Sequence, residues 1–210
     1  MRRGAALAIM LLVLTAGARV ATADTAVVRL HELTDLLSGE TRRVDAPARD
    51  EVIRVLQDRL RAFGWQAEIR PAAEDRLILT AELEPSALST LLGRLEFREP
   101  ISEDEWRVAL DGRHVARAEV IPMEGGFAVV QFQLTPEGKA AFASLTSRLV
   151  GKSLGVYWGE RELFAVRVME PIASGTAQIH LGAAGMEPEQ LATMLNLDEL
   201  PLRLELLTDE

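Results

Sequence analysis

Cysteine is absent from all 210 residues, which excludes thiol catalysis, disulfide exchange and cysteine-ligated zinc. A chain this long does not need bridges, because folding at this size buries roughly 70% of the unfolded surface. Aromatic residues are scarce, at 5%, so each ring is worth placing. Positive charge is short as well: 23 Lys and Arg face 32 Asp and Glu, a net charge of −9. So acidic a chain repels nucleic acid and anionic lipid head groups, whose binding depends on releasing counterions to Lys and Arg. Nucleic acid is therefore not an expected partner. After residue 23 there is also no apolar run of about 18 residues or more, so nothing beyond it is expected to cross a membrane as a helix. What remains, 48% hydrophobic and 26% charged, is an ordinary globular composition.

The first 23 residues stand apart. Arg2 and Arg3 precede an apolar run from Ala5 to Ala18, and Ala21-Thr22-Ala23 supplies small residues before Asp24. This is the pattern of a signal peptide cut after Ala23, with an uncleaved anchor as the alternative. The mature chain would be periplasmic or secreted. Loss of Arg2, Arg3 and Arg19 would shift its net charge from −9 to −12. No Cys follows the apolar run, so lipid attachment there is excluded.

From Val27 to Leu30 the chain is β-branched and apolar, a first strand. A helix follows near Ala48–Phe63, with Val52, Leu56, Leu60 and Phe63 on one face and Arg54, Asp58 and Arg61 opposite. Gly64 suits the left-handed position beyond its end, and Trp65 folds back as the apolar residue after it. Gln66–Arg70 and Arg76–Leu83 read as strands, Pro85–Leu92 as a short helix, and Leu95-Glu96-Phe97 as another strand. Strand, helix, strand, strand, helix, strand is a split βαβ order of the ferredoxin type. The acidic run Pro100–Glu105 is the expected boundary to a second lobe.

That second part opens with a hairpin, Ala116–Glu124 and Phe127–Leu134, turned at Gly125-Gly126. Thr135 caps a helix with Pro136 at its first position, and Phe142, Leu145 and Leu149 give it a buried face. Strands at 154–158 and 161–169 are joined by Gly159-Glu160, where glycine first suits a type II′ turn. A strand at Thr176–Leu181, a helix at Pro188–Leu197 and a last strand at Leu202–Leu206 complete the order.

No constellation for catalysis emerges, and no cofactor is implied. Gly151-Lys152-Ser153-Leu154-Gly155 has the letters of a hydrolase elbow, but the helix comes before the serine and the strand after it, the reverse of what that turn requires. The same stretch lacks the earlier glycine of a phosphate loop, since Thr146 stands there. His31, His114 and His180 lie far apart without a partner at metal-ligand spacing. Glu103-Asp104-Glu105 and the pair Glu160 and Glu162 read as solvated turns. Tyr157 and Trp158 are adjacent in a strand and so point to opposite faces. Both are expected to pack at the lobe edge, since large aromatics are mostly buried, the alternative being that one fills the core and the other contacts a partner peptide.

Five short matches in order carry a resemblance: Thr135-Pro136-Glu137-Gly138, the step Gly151-Lys152-x-Leu154, Arg167-Val168 with Glu170-Pro171-Ile172, Ser174-Gly175, and Gln178-Ile179. Over roughly eighty residues their order outweighs any single motif. They resemble the head part of the first periplasmic domain of SecD, a subunit of the bacterial protein-export machinery, and Arg94-Leu95-Glu96-Phe97-Arg98 resembles its base. The resemblance implies an α+β, two-lobed fold: a ferredoxin-like base at 24–106, completed by 201–210, with an inserted α+β head at 107–200. It implies a non-enzymatic role in export, binding unfolded exported polypeptides or Sec translocon components; Tyr157 and Trp158, from their place in the strand and not from the resemblance, are the candidate polypeptide contacts. An envelope interaction module with an unrelated partner is the other reading. Proton-driven motor work needs membrane helices that this chain does not carry after its leader, so no motor role is expected of it alone. Gly159-Glu160-Arg161 and Phe164-Ala165-Val166 depart from the Asp-Gly and Ser-Ala-Pro common in the family at those places.

Overall fold

Asp45 starts the first helix. Its carboxylate accepts the amide of Ala48 at 2.8 Å, and Pro47 in the first turn has no amide to leave unpaired. The helix ends at Gly64, whose φ of 65° lets the chain reverse, and the amide of Trp65 returns to the Leu60 carbonyl at 2.9 Å. Trp65 then folds back onto Phe63, with ring centroids 4.7 Å apart. The structure is a computed structural model that describes residues 24–102, 105–181 and 186–207. The expected leader, residues 1–23, lies outside the described residues, as do Glu103 and Asp104.

In chain order the first elements are β1 (Asp24–His31), a small ladder of β2 (Leu33–Thr34) with β3 (Thr41–Arg42), α1 (Ala46–Phe63), β4 (Ala67–Ala73), β5 (Arg76–Ala81) and α2 (Pro85–Leu92). Then come β6 (Leu95–Pro100), β7 (Trp106–Asp111), a 3-10 turn at Gly112–His114, β8 (Val115–Pro122), β9 (Ala128–Leu134) and α3 (Pro136–Arg148). The rest is β10 (Ser153–Trp158), β11 (Arg161–Arg167), β12 (Thr176–Ile179), α4 (Pro188–Leu195) and β13 (Arg203–Leu207). The result is a mixed α/β fold with several sheets and, among the described residues, four α-helices. None of those helices is long and apolar enough to cross a membrane.

The first sheet runs β13-β1-β5-β4 with every neighbouring pair antiparallel. Alternation puts Val28, Leu30, Leu77 and Leu79 on one face, where they meet Val52, Val55 and Leu56 of α1, Leu91 of α2, and Leu200 and Leu202. This core is aliphatic. The strand at Leu95–Phe97 differs from its expected place: β6 lies in a second sheet, β11-β10-β6-β7, and the first sheet is closed by β13 instead. The reason is the partner that its buried face requires. Phe97 rests on Phe132 and Phe142, at 5.6 and 5.3 Å between centroids, and both rings belong to the second core. The run Pro100–Glu105 is likewise no boundary between strands of different sheets. The strands on either side of it, β6 and β7, pair directly, and the Ile101 amide meets the Glu105 carbonyl at 2.8 Å.

A third sheet, β12-β9-β8, shares that second core with α3 and α4. Thr135 caps α3 by accepting the Gly138 amide at 3.1 Å, as its sequence predicts. The β8–β9 turn carries Gly125 and Gly126 at positive φ and leaves Phe127 75% exposed at its tip.

Candidate functional site

The β10–β11 hairpin is built around two local demands. Gly159 has a φ of 59°, so two residues suffice to join Trp158 to Arg161. Behind the turn the register slips: Val156 faces Phe164 but Tyr157 faces Glu162, which leaves Leu163 as an extra, inward residue.

Both aromatic side chains are buried, Tyr157 to 7% exposure and Trp158 to 2%. The packed reading of the pair holds and its alternative, one ring free at the surface, does not, because β10 is a central strand, flanked by β11 and β6, and is buried from Leu154 to Trp158. The Trp158 indole N–H donates to the carbonyl of Thr90 in α2 at 3.0 Å. A Cβ at position 93 would lie 2.1 Å from that nitrogen, so only glycine lets the ring approach the end of α2. On the other face the Tyr157 hydroxyl donates to Glu162 at 3.0 Å and the Arg98 guanidinium covers its ring at 4.2 Å. Burial first, then the Glu162 carboxylate, push the phenol above its ordinary range.

Above Trp158 lies a groove of about 190 Å³ between α2, β13 and the hairpin tip. Pro85, Leu88, Leu92, Leu204 and Leu206 make it apolar, while Glu160 and Arg203 stand on its two walls. The Glu160 side chain is 87% exposed, and Arg98 is 3.6 Å from its carboxylate. Among the described residues strand β13 pairs only with β1, so the groove runs beside a sheet edge that is open among them.

Beneath the groove sits a group of buried charges. The Arg59 guanidinium donates to the carbonyls of Leu91 and Gly93, both at 2.8 Å, and reaches Glu199 at 3.5 Å. Arg94 donates to Asp111 at 3.2 Å and lies 3.5 Å from Glu199. Arg113 donates to Asp111 at 2.7 Å and lies 3.3 Å from Asp35. Burial pushes the Glu199 carboxyl up, and Arg59 and Arg94 only partly offset it; burial likewise pulls Arg59 down. The cluster stands where the chain leaves the first sheet, at Gly93-Arg94, and where it returns, at Glu199–Leu202.

The other residues singled out in the sequence do not converge. Ser153 is exposed at the start of β10, after α3 and before the strand. His31 meets Glu205 at 2.6 Å on the outside of the first sheet, His114 is buried 3.9 Å from Asp35, and His180 is exposed. Among the described residues no three acidic or histidine side chains are grouped to hold a metal. Glu160 and Glu162 sit on the same hairpin but serve different partners, Arg98 and Tyr157. Arg59, Arg94, Asp111 and Glu199 are the functional candidates that sequence reasoning missed. One signal was available for Arg59, since position 59 falls on the same helical face as Val52, Leu56 and Phe63.

The fold is shared with known proteins. Residues 96–202 match the model of the SecDF P1 head subdomain. The protein translocase subunit SecD of Acidaminococcus fermentans is 30% identical over 169 residues, 78% of this chain and 40% of that protein. The protein-export membrane protein SecD of Methanopyrus kandleri is 27% identical over 222 residues, 92% of this chain and 54% of the relative. The chain thus spans about half the length of these relatives or less. A solved structure of a membrane component SecDF that enhances protein export superposes with a TM-score of 0.60 at 20% identity, covering 89% of this chain and 99% of that one. SecDF in its super-membrane-facing form gives 0.59 at 19% identity, covering 86% and 29%.

Proposed function

This chain belongs to the SecDF P1 head subdomain family, and from that membership we propose that it is an exported, non-enzymatic domain that binds polypeptides in support of protein export. In this reading it works on the outer side of the membrane, in the periplasm, after its leader is cut behind Ala23. The first sheet with α1 and α2 is its ferredoxin-like base, since the order β13-β1-β5-β4 with crossing helices is that of a split βαβ unit. Residues 94–200 are the inserted head, with the boundary moved from 107 to the point where Arg94 leaves the base.

The observation that carries the reading is the hairpin at the seam. Its turn overhangs an apolar groove beside the open edge of β13. Extended chains bind such edges by adding main-chain hydrogen bonds, with side-chain pockets giving preference. Tyr157 and Trp158 contribute from below: they hold the hairpin in place, and Trp158 floors the groove. The net charge of −12 that remains once Arg2, Arg3 and Arg19 are cut away with the leader favours apolar or basic segments over acidic ones. Unfolded exported polypeptides and parts of the Sec translocon are the partners of this chemistry.

The test follows Trp158. With Trp65 and Trp106 replaced by Phe, titration of an unfolded exported protein is expected to shift Trp158 emission, with affinity on the order of micromolar or weaker because the ligand loses entropy on ordering. No shift, together with no heat of binding at high micromolar concentration, would remove the polypeptide-binding reading. An envelope interaction module with another partner would then be the better account.

A further inference from the structure

Open sheet edges invite unwanted pairing, and proteins blunt them with bulges, prolines or very short strands. Most outer strands of this molecule follow that rule. The register slips in β4, which also carries Pro71, and again in β7, β8 and β11. Strand β12 is only four residues long. By contrast β13 pairs with β1 without a slip from Leu207 to Arg203 and contains no proline.

The side of β13 that looks at α2 is also unfinished. Leu204 and Leu206, two residues apart, share that face, and Leu206 remains 41% exposed. Across the gap Leu88 and Leu92 of α2 are half-buried. The space between them, about 190 Å³, lies below the 300–1,000 Å³ typical of small-molecule sites and suits a few aliphatic side chains.

Resting on the polypeptide-binding reading, we propose that β13 receives an extended segment of another polypeptide as a fifth strand of the first sheet. Alternate aliphatic residues of the segment enter the groove against Leu88, Leu92 and Leu206. The residues between them face solvent on the opposite side of the sheet, where the net charge of −12 left once the leader is cut favours Lys or Arg, and Glu160 at the mouth of the groove adds to that negative field. The site therefore selects a pattern, alternating aliphatic and basic, and not hydrophobicity alone.

Fluorescence anisotropy of a dye-labelled synthetic peptide of alternating valine and lysine, titrated with the purified full chain, tests the proposal. The control peptide has the same composition with its valines in one block. The alternating peptide is expected to bind on the order of tenfold more tightly than the blocked one, and Leu206→Asp to weaken it by roughly tenfold. Glu160→Lys, at a side chain too exposed to disturb folding, is expected to weaken it about threefold. Val166→Asp, on the other open edge, leaves it unchanged. Equal binding of both peptides, or loss in Val166→Asp with none in Leu206→Asp and Glu160→Lys, overturns the assignment to β13 while leaving a polypeptide binder. If neither peptide binds but an unfolded exported protein still shifts Trp158 emission, this inference falls and the proposed function stands. Absence of both signals removes both.

Discussion

The region built on the first sheet and the region built on the other two solve the same problem with different materials. The first has an aliphatic core of Val, Leu and Ala with Trp65 at its rim, stacked on Phe63, which packs against the second core. The second has few strands in perfect register but buries Phe97, Phe132, Phe142 and Trp158. Regular strands filled with branched side chains define one arrangement through pattern alone. Bulged strands need large rings of fixed shape to hold their turns, because each ring fills volume that several small side chains would leave loose. The first region is also the dependent one. Its sheet ends with a strand that arrives only after residue 202, so the chain cannot finish it until the second region has been traversed. The charges of Arg59, Arg94, Asp111 and Glu199 sit on this seam.

That dependence gives the largest expected effect. Arg59→Met removes the donor that holds the carbonyls of Leu91 and Gly93 and leaves Glu199 buried beside Arg94 alone. Breaking a buried ion pair from one side costs about 3–5 kcal/mol, and both regions should lose it together. Urea unfolding followed by far-ultraviolet circular dichroism and by Trp158 emission is expected to show one shared transition at lower urea. Two separated transitions, or a loss under about 1 kcal/mol, would break the picture of a coupled seam.

A smaller pair of substitutions compares the two regions directly. Asp45→Ala removes the cap of α1 in the first, and Thr135→Ala removes the cap of α3 in the second. Each should cost about 1 kcal/mol, because a cap depends on one local hydrogen bond and not on the core behind it. Equal losses in urea midpoints would confine the difference between the regions to their cores. A loss several times larger at one site would show that the cap also carries packing.

Much of this was legible in the sequence wherever the determinant is local. Thr135-Pro136, Gly64 with Trp65, and Gly159-Glu160 specify their turns and caps through the conformations of a few residues, and the structure places each as read. The alternation of Leu77, Leu79 and Ala81 against Ile78 and Thr80 fixed a strand with one buried face. What alternation does not encode is which core that face meets. Leu95 and Phe97 read as a half-buried strand, and only the rings of Phe132 and Phe142, far along the chain, draw it into the second sheet. The acidic run Pro100–Glu105 was ambiguous for the same reason, since proline and carboxylates suit a linker between lobes and a connection between paired strands alike. Burial of Tyr157 and Trp158 followed from β10 having neighbours on both sides, a fact of pairing and not of composition. Of the candidate site, the hairpin was visible in advance; the groove and the buried charges were not, because they join residues more than a hundred positions apart.

The subtlest expected effect separates two carboxylates, one in each setting. Glu99 of β6 accepts from Arg148 at 2.9 Å and from Arg107 at 2.6 Å, and the Arg148 hydrogen bond leads in holding its carboxyl below the ordinary value of 4.5. The folded chain therefore binds this proton more weakly than the unfolded chain does. Its stabilising contribution is complete above 4.5 and fades as pH falls through the lowered value. Glu199 at the seam has the opposite sign. Burial raises its carboxyl above 4.5, so the folded chain holds that proton more tightly. Its contribution is complete below 4.5 and fades as pH rises through the raised value. Gln imitates the protonated form in both places. Relative to the native chain, Glu99→Gln should thus lose stability progressively as pH climbs from acid to neutral, whereas Glu199→Gln should gain over the same climb. Urea midpoints of the three proteins across that range give two difference curves, and the expected result is slopes of opposite sign. Parallel slopes would mean that Glu199 is compensated at the seam as fully as Glu99 is at its pair of arginines, and the contrast between the two settings would disappear.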